Sequence, residues 1–142
     1  MHTRTRVTRA GLPEPQGGAP FMPGPVFSSV FHTPGDPADH PFTYGRNHNP
    51  TWTAFESALA GLEGGPVVSF ASGMAAIAAV FGTTLRPGDI LALPGDSYFT
   101  TRILASDYLA QMGVQVRLAP TANDAQLETL PGARLLGVGE RA

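Results

Sequence analysis

Tyr44 and Arg46 stand two residues apart in the stretch YGRNHNPT, and together they offer a phenol and a planar cation. Side chains at this spacing point the same way on an extended segment. A guanidinium binds a phosphate through two parallel hydrogen bonds, and a phenol adds a third. The pair therefore predicts an anion site. A solvated arginine beside a packed tyrosine is the alternative interpretation.

A second candidate anion site lies at Ser72, Gly73 and Met74, where a predicted strand ends and a predicted helix begins. The first N–H groups of a helix lack partners within the helix, and with the helix dipole they favour an anion. Gly73 lets a ligand approach the backbone closely. An ordinary turn between strand and helix, with a serine cap, would have the same residues.

Tyr98 follows the next predicted strand, at the edge where open α/β sheets bind their ligands. Its ring could stack on a planar cofactor. Alternatively, it is simply the first aromatic residue of an amphipathic helix.

The nine residues counted as lysine or arginine are all arginine, so the chain contains no lysine. A side-chain amine is what an enzyme needs to form a Schiff base with a carbonyl cofactor or substrate. No catalytic residue of that kind can be assigned in this chain.

The composition also excludes several classes of function. The formal net charge is -2 and only 14% of the residues are charged, so neither nucleic acid nor an acidic membrane surface is expected as a partner. The chain has no cysteine and four scattered histidines, which argues against disulfides, thiolate chemistry and a metal site. No run approaches the ~20 apolar residues that cross a bilayer, and the basic N-terminus lacks the apolar run of a signal peptide. A cytoplasmic location is expected.

The first of the elements that must position these residues is a proline-rich segment, residues 1–50. It holds nine of the fourteen prolines and shows neither helical nor strand periodicity. Its four phenylalanines are unusual for a disordered chain: Phe21, Phe27, Phe31 and Phe42. We predict an extended N-terminal arm that lays its rings on another surface, such as a second subunit. A floppy tail is the alternative for residues 1–20.

From Thr51 onward, the patterns predict helices that alternate with strands. The apolar spacing predicts a helix to about Glu63, with Thr53 and Glu56 as a capping box. The next predicted elements are a strand at 67–71, a helix at 73–85, a strand at 89–94, a helix at 98–113, a strand at 114–120, a short helix at 124–130 and a strand at 134–138. This alternation predicts an α/β domain over residues 51–142, with a mainly parallel sheet flanked by helices.

In their order and spacing these stretches resemble the Cys/Met-metabolism family of pyridoxal-phosphate (PLP) enzymes, which includes cystathionine γ-lyases and γ-synthases. The resemblance rests on YGRNHNPTWTAFESALAGLEGG, FASGMAAIAAV and LRPGDILALPGDSYFTT, and it extends from about residue 22 to about 135. The stretch LPEPQGGAPFMPGPVFSSVFHTPGDP is most similar to the actinobacterial cystathionine γ-lyases.

The resemblance implies fold type I, the PLP-dependent transferase fold, with pyridoxal 5'-phosphate as the cofactor. It implies that Tyr44 and Arg46 reach the cofactor phosphate of a neighbouring subunit, in a homodimer or homotetramer joined through the arm. It also implies that the turn at Ser72–Met74 binds the phosphate and that Tyr98 stacks on the pyridine ring.

Two departures from the family pattern bear on function. The arginine that usually follows the stacking tyrosine by five residues is replaced by Ile103, and Arg102 stands one place earlier. The family's aspartate at the pyridine nitrogen and its cofactor-bound lysine lie further along the chain than residue 142. We therefore expect a truncated cofactor-binding domain that lacks the catalytic lysine.

Three functions stay open on the sequence. The first is the N-terminal portion of a PLP-dependent C–S lyase of transsulfuration, which performs γ-elimination on a sulfur amino acid, cystathionine, and is inactive alone. The second is a non-enzymatic remnant that binds PLP or phosphate weakly, or pairs with an intact homologue. The third is an unrelated α/β module that binds a phosphosugar or nucleotide. The sequence does not distinguish a γ-lyase from a γ-synthase or a methionine lyase.

Overall fold

The computed structural model describes residues 7–119 and 131–136. The chain divides into two units between Ser69 and Phe70. The first unit contains the predicted arm and also the helix that follows it, α1 (Pro50–Glu63). The assignment of residues 1–50 and 51–142 to an arm and a cofactor-binding domain stays a prediction.

In the first unit the arm folds back on itself. Val30 and Tyr44 form an antiparallel bridge, and Gly45 donates its N–H to the carbonyl of Ser29 at 2.8 Å. A 3-10 helical turn, Pro37–Asp39, lies between the two sides of this loop. The arm is therefore extended only in part. The bridge can form despite the many prolines, because the residues that donate to it keep their backbone N–H groups.

The phenylalanines of the arm fall into two pairs. The rings of Phe31 and Phe42 pack on each other with their centroids 5.6 Å apart. Phe21 and Phe27 are 79% and 95% exposed. Two of the four rings thus pack within the arm itself, and two are left on the surface of this chain.

Helix α1 begins with a different cap from the one predicted. The side chain of Asn49 accepts a hydrogen bond from the N–H of Thr51 at 2.9 Å. Pro50 occupies the first helical position, where a missing N–H costs nothing. The predicted capping box of Thr53 and Glu56 is wrong, because Thr53 already lies inside the helix.

The strand predicted at residues 67–71 does not form. Within the described residues no other strand pairs with this segment, and a strand needs a neighbour to bind its backbone N–H and carbonyl groups. Ser69 binds to α1 instead. Its N–H and its hydroxyl both donate to the carboxylate of Glu56, at 2.7 and 2.6 Å.

The second unit contains a parallel sheet with the strand order β2–β1–β3. Its described elements are α2 (Gly73–Thr84), β1 (Ile90–Pro94), α3 (Phe99–Ile103), β2 (Gln115–Ala119) and β3 (Ala133–Leu136). The predicted helix at 73–85 and the strands at 89–94 and 114–120 are confirmed within one residue at each end. The last predicted strand, 134–138, is confirmed over residues 134–136, which lie in β3, whereas its residues 137–138 and the predicted helix at 124–130 lie outside the described residues.

Helix α3 changes its geometry after one turn. It runs directly into a π-helical stretch, Leu104–Leu109, and the helical segment ends there rather than at the predicted residue 113. Gly113 follows at φ 85°, the left-handed conformation that glycine adopts without strain. Gly113 therefore marks the turn into β2, as its position in the sequence indicates.

Strand β1 is the centre of the core. Leu91 and Leu93 are 0% and 2% exposed, and they lie opposite Val116 and Leu118 of β2. A strand covered on both faces has a continuous apolar sequence, which is why DILALP is recognisable as a buried parallel strand. The carboxyl end of this buried strand leads into the turn before Tyr98.

Candidate functional site

The start of α2 presents N–H groups that are free to bind a ligand. Ser72 is the N-cap, and its Oγ accepts a hydrogen bond from the N–H of Ala75 at 3.1 Å. Among the residues that the structure describes, none accepts from the N–H groups of Gly73 and Met74. The first turn contains no acidic residue, so the positive end of the helix dipole is not neutralised.

The space over these N–H groups is open. A methyl group on Gly73 would meet no other atom within 4 Å. Ser72 and Gly73 are exposed, and the hydroxyl proton of Ser72 is still available to donate. Two N–H groups and a hydroxyl around an open space fit the oxygens of a phosphate.

Tyr98 lies between the end of β1 and the start of α3. Its side chain is 51% exposed and makes no hydrogen bond to the other described residues. An exposed ring at the carboxyl end of the central strand can face a planar ligand.

Thr101 joins the two elements that carry these residues. Its hydroxyl donates to the sulfur of Met74 at 3.5 Å, and the residue is 6% exposed. The first turn of α2 and the helix that follows Tyr98 are thereby held against each other. The sequence analysis did not identify Thr101. The feature that could have indicated it is its position one helical turn after Tyr98.

Tyr44 and Arg46 lie in the first unit and contact each other. Nη2 of Arg46 donates to the phenolic oxygen of Tyr44 at 3.1 Å, and the guanidinium carbon lies 5.2 Å from the centroid of the ring. Gly45 between them is buried, and a methyl group there would lie 2.9 Å from the carbonyl oxygen of Ser28. The glycine therefore allows the close approach of two backbones that holds the pair at the surface.

Asn49 is a positioning residue that sequence reasoning missed. It is 4% exposed, and its Nδ2 donates to the carbonyls of Val26 and Ser28 at 3.0 and 3.2 Å. These bonds join residues 26–28, which include the Ser28 that packs against Gly45, to the start of α1. The signal was the pair Asn-Pro in YGRNHNPT, which indicates a turn but not its partners.

The pKa of the Glu56 carboxyl lies below its ordinary value. The hydroxyl of Ser69 lowers the pKa of the Glu56 carboxyl most, and the N–H of Ser69 lowers it further. Nearby His48 acts in the same direction more weakly. Glu56 is thus ionised at neutral pH and fastens residues 64–69 to α1 rather than exchanging protons.

The described residues indicate neither a metal centre nor a membrane span. Within residues 7–119 and 131–136, no three histidine, aspartate or glutamate side chains could hold a metal ion together. In the same ranges, every helix is too short or too polar to span a bilayer.

Comparison with known proteins adds evidence that is independent of this geometry. Residues 25–133 match the family model of the Cys/Met metabolism PLP-dependent enzymes. Over 94% of its length the chain is 50% identical to a protein of Streptomyces coelicolor named "Putative cystathionine gamma-lyase". Over 90% it is 34% identical to the L-methionine gamma-lyase of Pseudomonas deceptionensis.

The fold is similar to solved structures as well. The cystathionine gamma synthase from Xanthomonas oryzae pv. oryzae, in complex with cystathionine, matches 96% of the chain with a TM-score of 0.82 and 29% identity. The predicted fold class, fold type I of the PLP-dependent enzymes, is confirmed. The chain spans 35% and 34% of the two relatives' lengths and 36% of the solved chain, about a third in each case.

Proposed function

Because the chain belongs to the family of Cys/Met metabolism PLP-dependent enzymes, we propose that it is the N-terminal portion of a C–S lyase of transsulfuration. The whole enzyme would perform γ-elimination on cystathionine. The observation that carries this proposal is the 50% identity to a putative cystathionine gamma-lyase over 94% of the chain. The family's cofactor is pyridoxal phosphate, and we expect a cytoplasmic enzyme.

The second unit contributes the cradle for the cofactor. The N–H groups of Gly73 and Met74 and the hydroxyl of Ser72 bind the phosphate, because the start of α2 has no acidic side chain that would repel a dianion. Tyr98 would stack on the pyridine ring of the bound cofactor.

The first unit contributes Tyr44 and Arg46 to the phosphate of a neighbouring subunit. Both side chains are exposed, and their contact uses only one of the five N–H donors of the guanidinium. The remaining donors are available to a phosphate of another chain. The exposed rings of Phe21 and Phe27 suit a partner surface, so we expect a homodimer or homotetramer.

This chain binds and orients the cofactor but does not move the substrate's protons. When bound, pyridoxal phosphate supplies an electron sink for the negative charge left when the Cα proton is removed. The chain contains no lysine, so it has no side-chain amine to bind the cofactor's aldehyde or to take that proton. We therefore expect no turnover by the chain alone.

A non-enzymatic role is the second candidate function. The absence of lysine from these 142 residues favours it for this chain by itself. In that role the chain binds PLP or phosphate weakly, or pairs with an intact homologue through its arm.

A chimera tests the first function. The chain replaces the matching part of the Streptomyces coelicolor relative, and release of a thiol from cystathionine is measured beside the absorbance of bound PLP. We expect cleavage of cystathionine, and loss of PLP binding when Arg46→Ala is introduced. Arg86→Met, which changes an arginine outside the cradle, is the control.

Three results would each lead to a different conclusion. A folded chimera that binds no PLP would refute the cradle. A chimera that cleaves methionine but not cystathionine would indicate a methionine lyase. A chimera that binds PLP and cleaves neither substrate would favour the non-enzymatic role.

A further inference from the structure

The ring of Tyr98 is positioned by the backbone on either side of it. The phenol has no hydrogen-bond partner among the described residues, and the ring is half exposed. Its direction therefore depends on the turn Pro94–Ser97 before it and on the first turn of α3 after it. A ring that must lie flat against a ligand needs this turn to be rigid.

The first half of the turn before Tyr98 is hydrogen-bonded to the sheet. The N–H of Gly95 donates to the carbonyl of Ala119, the last residue of β2, at 2.7 Å. Ser97, which is 5% exposed, donates its N–H and its hydroxyl to the carbonyl of Pro94 at 3.1 and 2.7 Å. The carbonyl of Gly95 still requires a donor.

Arg102 provides that donor. Its Nη1 donates to the carbonyl of Gly95, and its backbone N–H donates to the carbonyl of Tyr98 at 3.3 Å. The side chain of Arg102 thus closes the Gly95 side of the turn with a charged donor, whereas its backbone N–H makes the ordinary bond of a first helical turn to Tyr98.

Keeping the guanidinium of Arg102 at this position costs free energy of folding. Its Nε is buried and has no hydrogen-bond partner among the described residues. An apolar side chain would fill the same volume without a buried, unpaired donor. The bond to the Gly95 carbonyl is a contact that an apolar side chain cannot make.

We propose that Arg102 is a positioning residue that fixes the Tyr98 turn, so that the ring is preorganised for the pyridine of the bound cofactor. This inference rests on the proposed function. It also gives a role to Arg102, which stands one place before Ile103. The side chain of Ile103 itself is 40% exposed.

The first measurement is the rate of amide hydrogen exchange at Gly95 and Ser97, monitored by NMR. In Arg102→Met we expect exchange at these two amides to become about ten-fold faster or more, since a charged hydrogen bond that closes the turn is lost. Arg102→Lys keeps a charged donor and should restore most of the protection.

The control variant is Arg86→Met. Nη1 of Arg86 also donates to backbone carbonyls, those of Gly82 and Leu85, at 3.3 and 2.9 Å, but at the far end of α2. Exchange at Gly95 and Ser97 should not change in this variant. Unfolding in urea is measured for every variant, so that a global loss of stability is recognised.

The second measurement compares two ligands of the cradle. Pyridoxine 5'-phosphate has the ring and the phosphate but no aldehyde, so it cannot react with the lysine of Arg102→Lys, and inorganic phosphate has no ring. In Arg102→Met we expect pyridoxine 5'-phosphate to bind about two- to ten-fold more weakly, as for a lost aromatic contact. The affinity for inorganic phosphate should stay the same.

The outcomes separate this proposal from the one on which it rests. Unchanged exchange at Gly95 and Ser97 in Arg102→Met overturns the positioning role. Equal weakening of both ligands also overturns it, because Arg102 would then support the whole unit rather than Tyr98. Failure of the unsubstituted chain to bind pyridoxine 5'-phosphate refutes the cradle of the proposed function, and with it the ligand-directed role of Arg102.

Discussion

Gly73→Ala should separate the stability of the chain from its binding of phosphate. The structure places Gly73 at the first position of α2, and a methyl group there meets no atom within 4 Å. Its φ is not in the left-handed region, so alanine fits the backbone without strain. We nevertheless expect that methyl group to crowd a phosphate oxygen that approaches the N–H groups of Gly73 and Met74.

The magnitudes follow from these two facts. Alanine is favoured over glycine by up to about 1 kcal/mol inside a helix, and by less at its first residue, so the free energy of unfolding should stay the same or rise slightly. The methyl group keeps the phosphate from a charge-assisted hydrogen bond worth roughly 1.5 to 3 kcal/mol. The affinity should fall about ten- to a hundred-fold.

The assay is isothermal titration with pyridoxine 5'-phosphate, paired with unfolding in urea. Gly82→Ala is the matched control, because Gly82 lies in the same helix and a methyl group there also meets no atom within 4 Å. It should raise the stability by up to about 1 kcal/mol and leave the affinity unchanged. Equal affinity in Gly73→Ala and the unsubstituted chain would refute the placement of the phosphate. A fall in stability would mean that the glycine serves the fold.

Three further predictions concern the first unit and the missing amine. Asn49→Ala should lower the free energy of unfolding by about 2 to 4 kcal/mol, since a helix cap and the two bonds from the buried Asn49 side chain to the carbonyls of Val26 and Ser28 are lost. Asn49→Asp keeps the cap and should recover part of this stability, and equal urea midpoints for Asn49→Ala and the unsubstituted chain would contradict the prediction. Ser69→Ala should raise the pKa of Glu56 towards its ordinary value, as followed by NMR titration. Because the pKa of Glu56 is lower in the folded chain, its stabilisation is present at neutral pH and is lost as the pH falls through the folded pKa. A Glu56 titration that is unaltered in Ser69→Ala would count against the role of Ser69. Borohydride treatment of the chain with PLP should leave no pyridoxyl group on a side chain, and mass spectrometry that finds one anywhere except the α-amino group would disprove the expectation.

Local patterns determined most of the second unit. The continuous apolar run of β1 and the alternation around it predicted a parallel sheet because burial on both faces leaves few polar positions in a strand. The Ser72–Met74 turn and Tyr98 could be identified for a similar reason, since the start of a helix and the end of a strand are properties of short segments. The lack of lysine needed no structure at all.

The tertiary structure decided which residues find partners across longer separations. Residues 67–71 have a strand-like composition, but the described structure offers them no neighbouring strand, and Ser69 binds Glu56 instead. Met74 and Thr101 meet across 27 positions of sequence, and the cap at Asn49 is fixed by carbonyls more than 20 positions away. Helix and strand periods are set by neighbouring residues, whereas hydrogen-bond partners depend on where the packed chain brings distant donors and acceptors together.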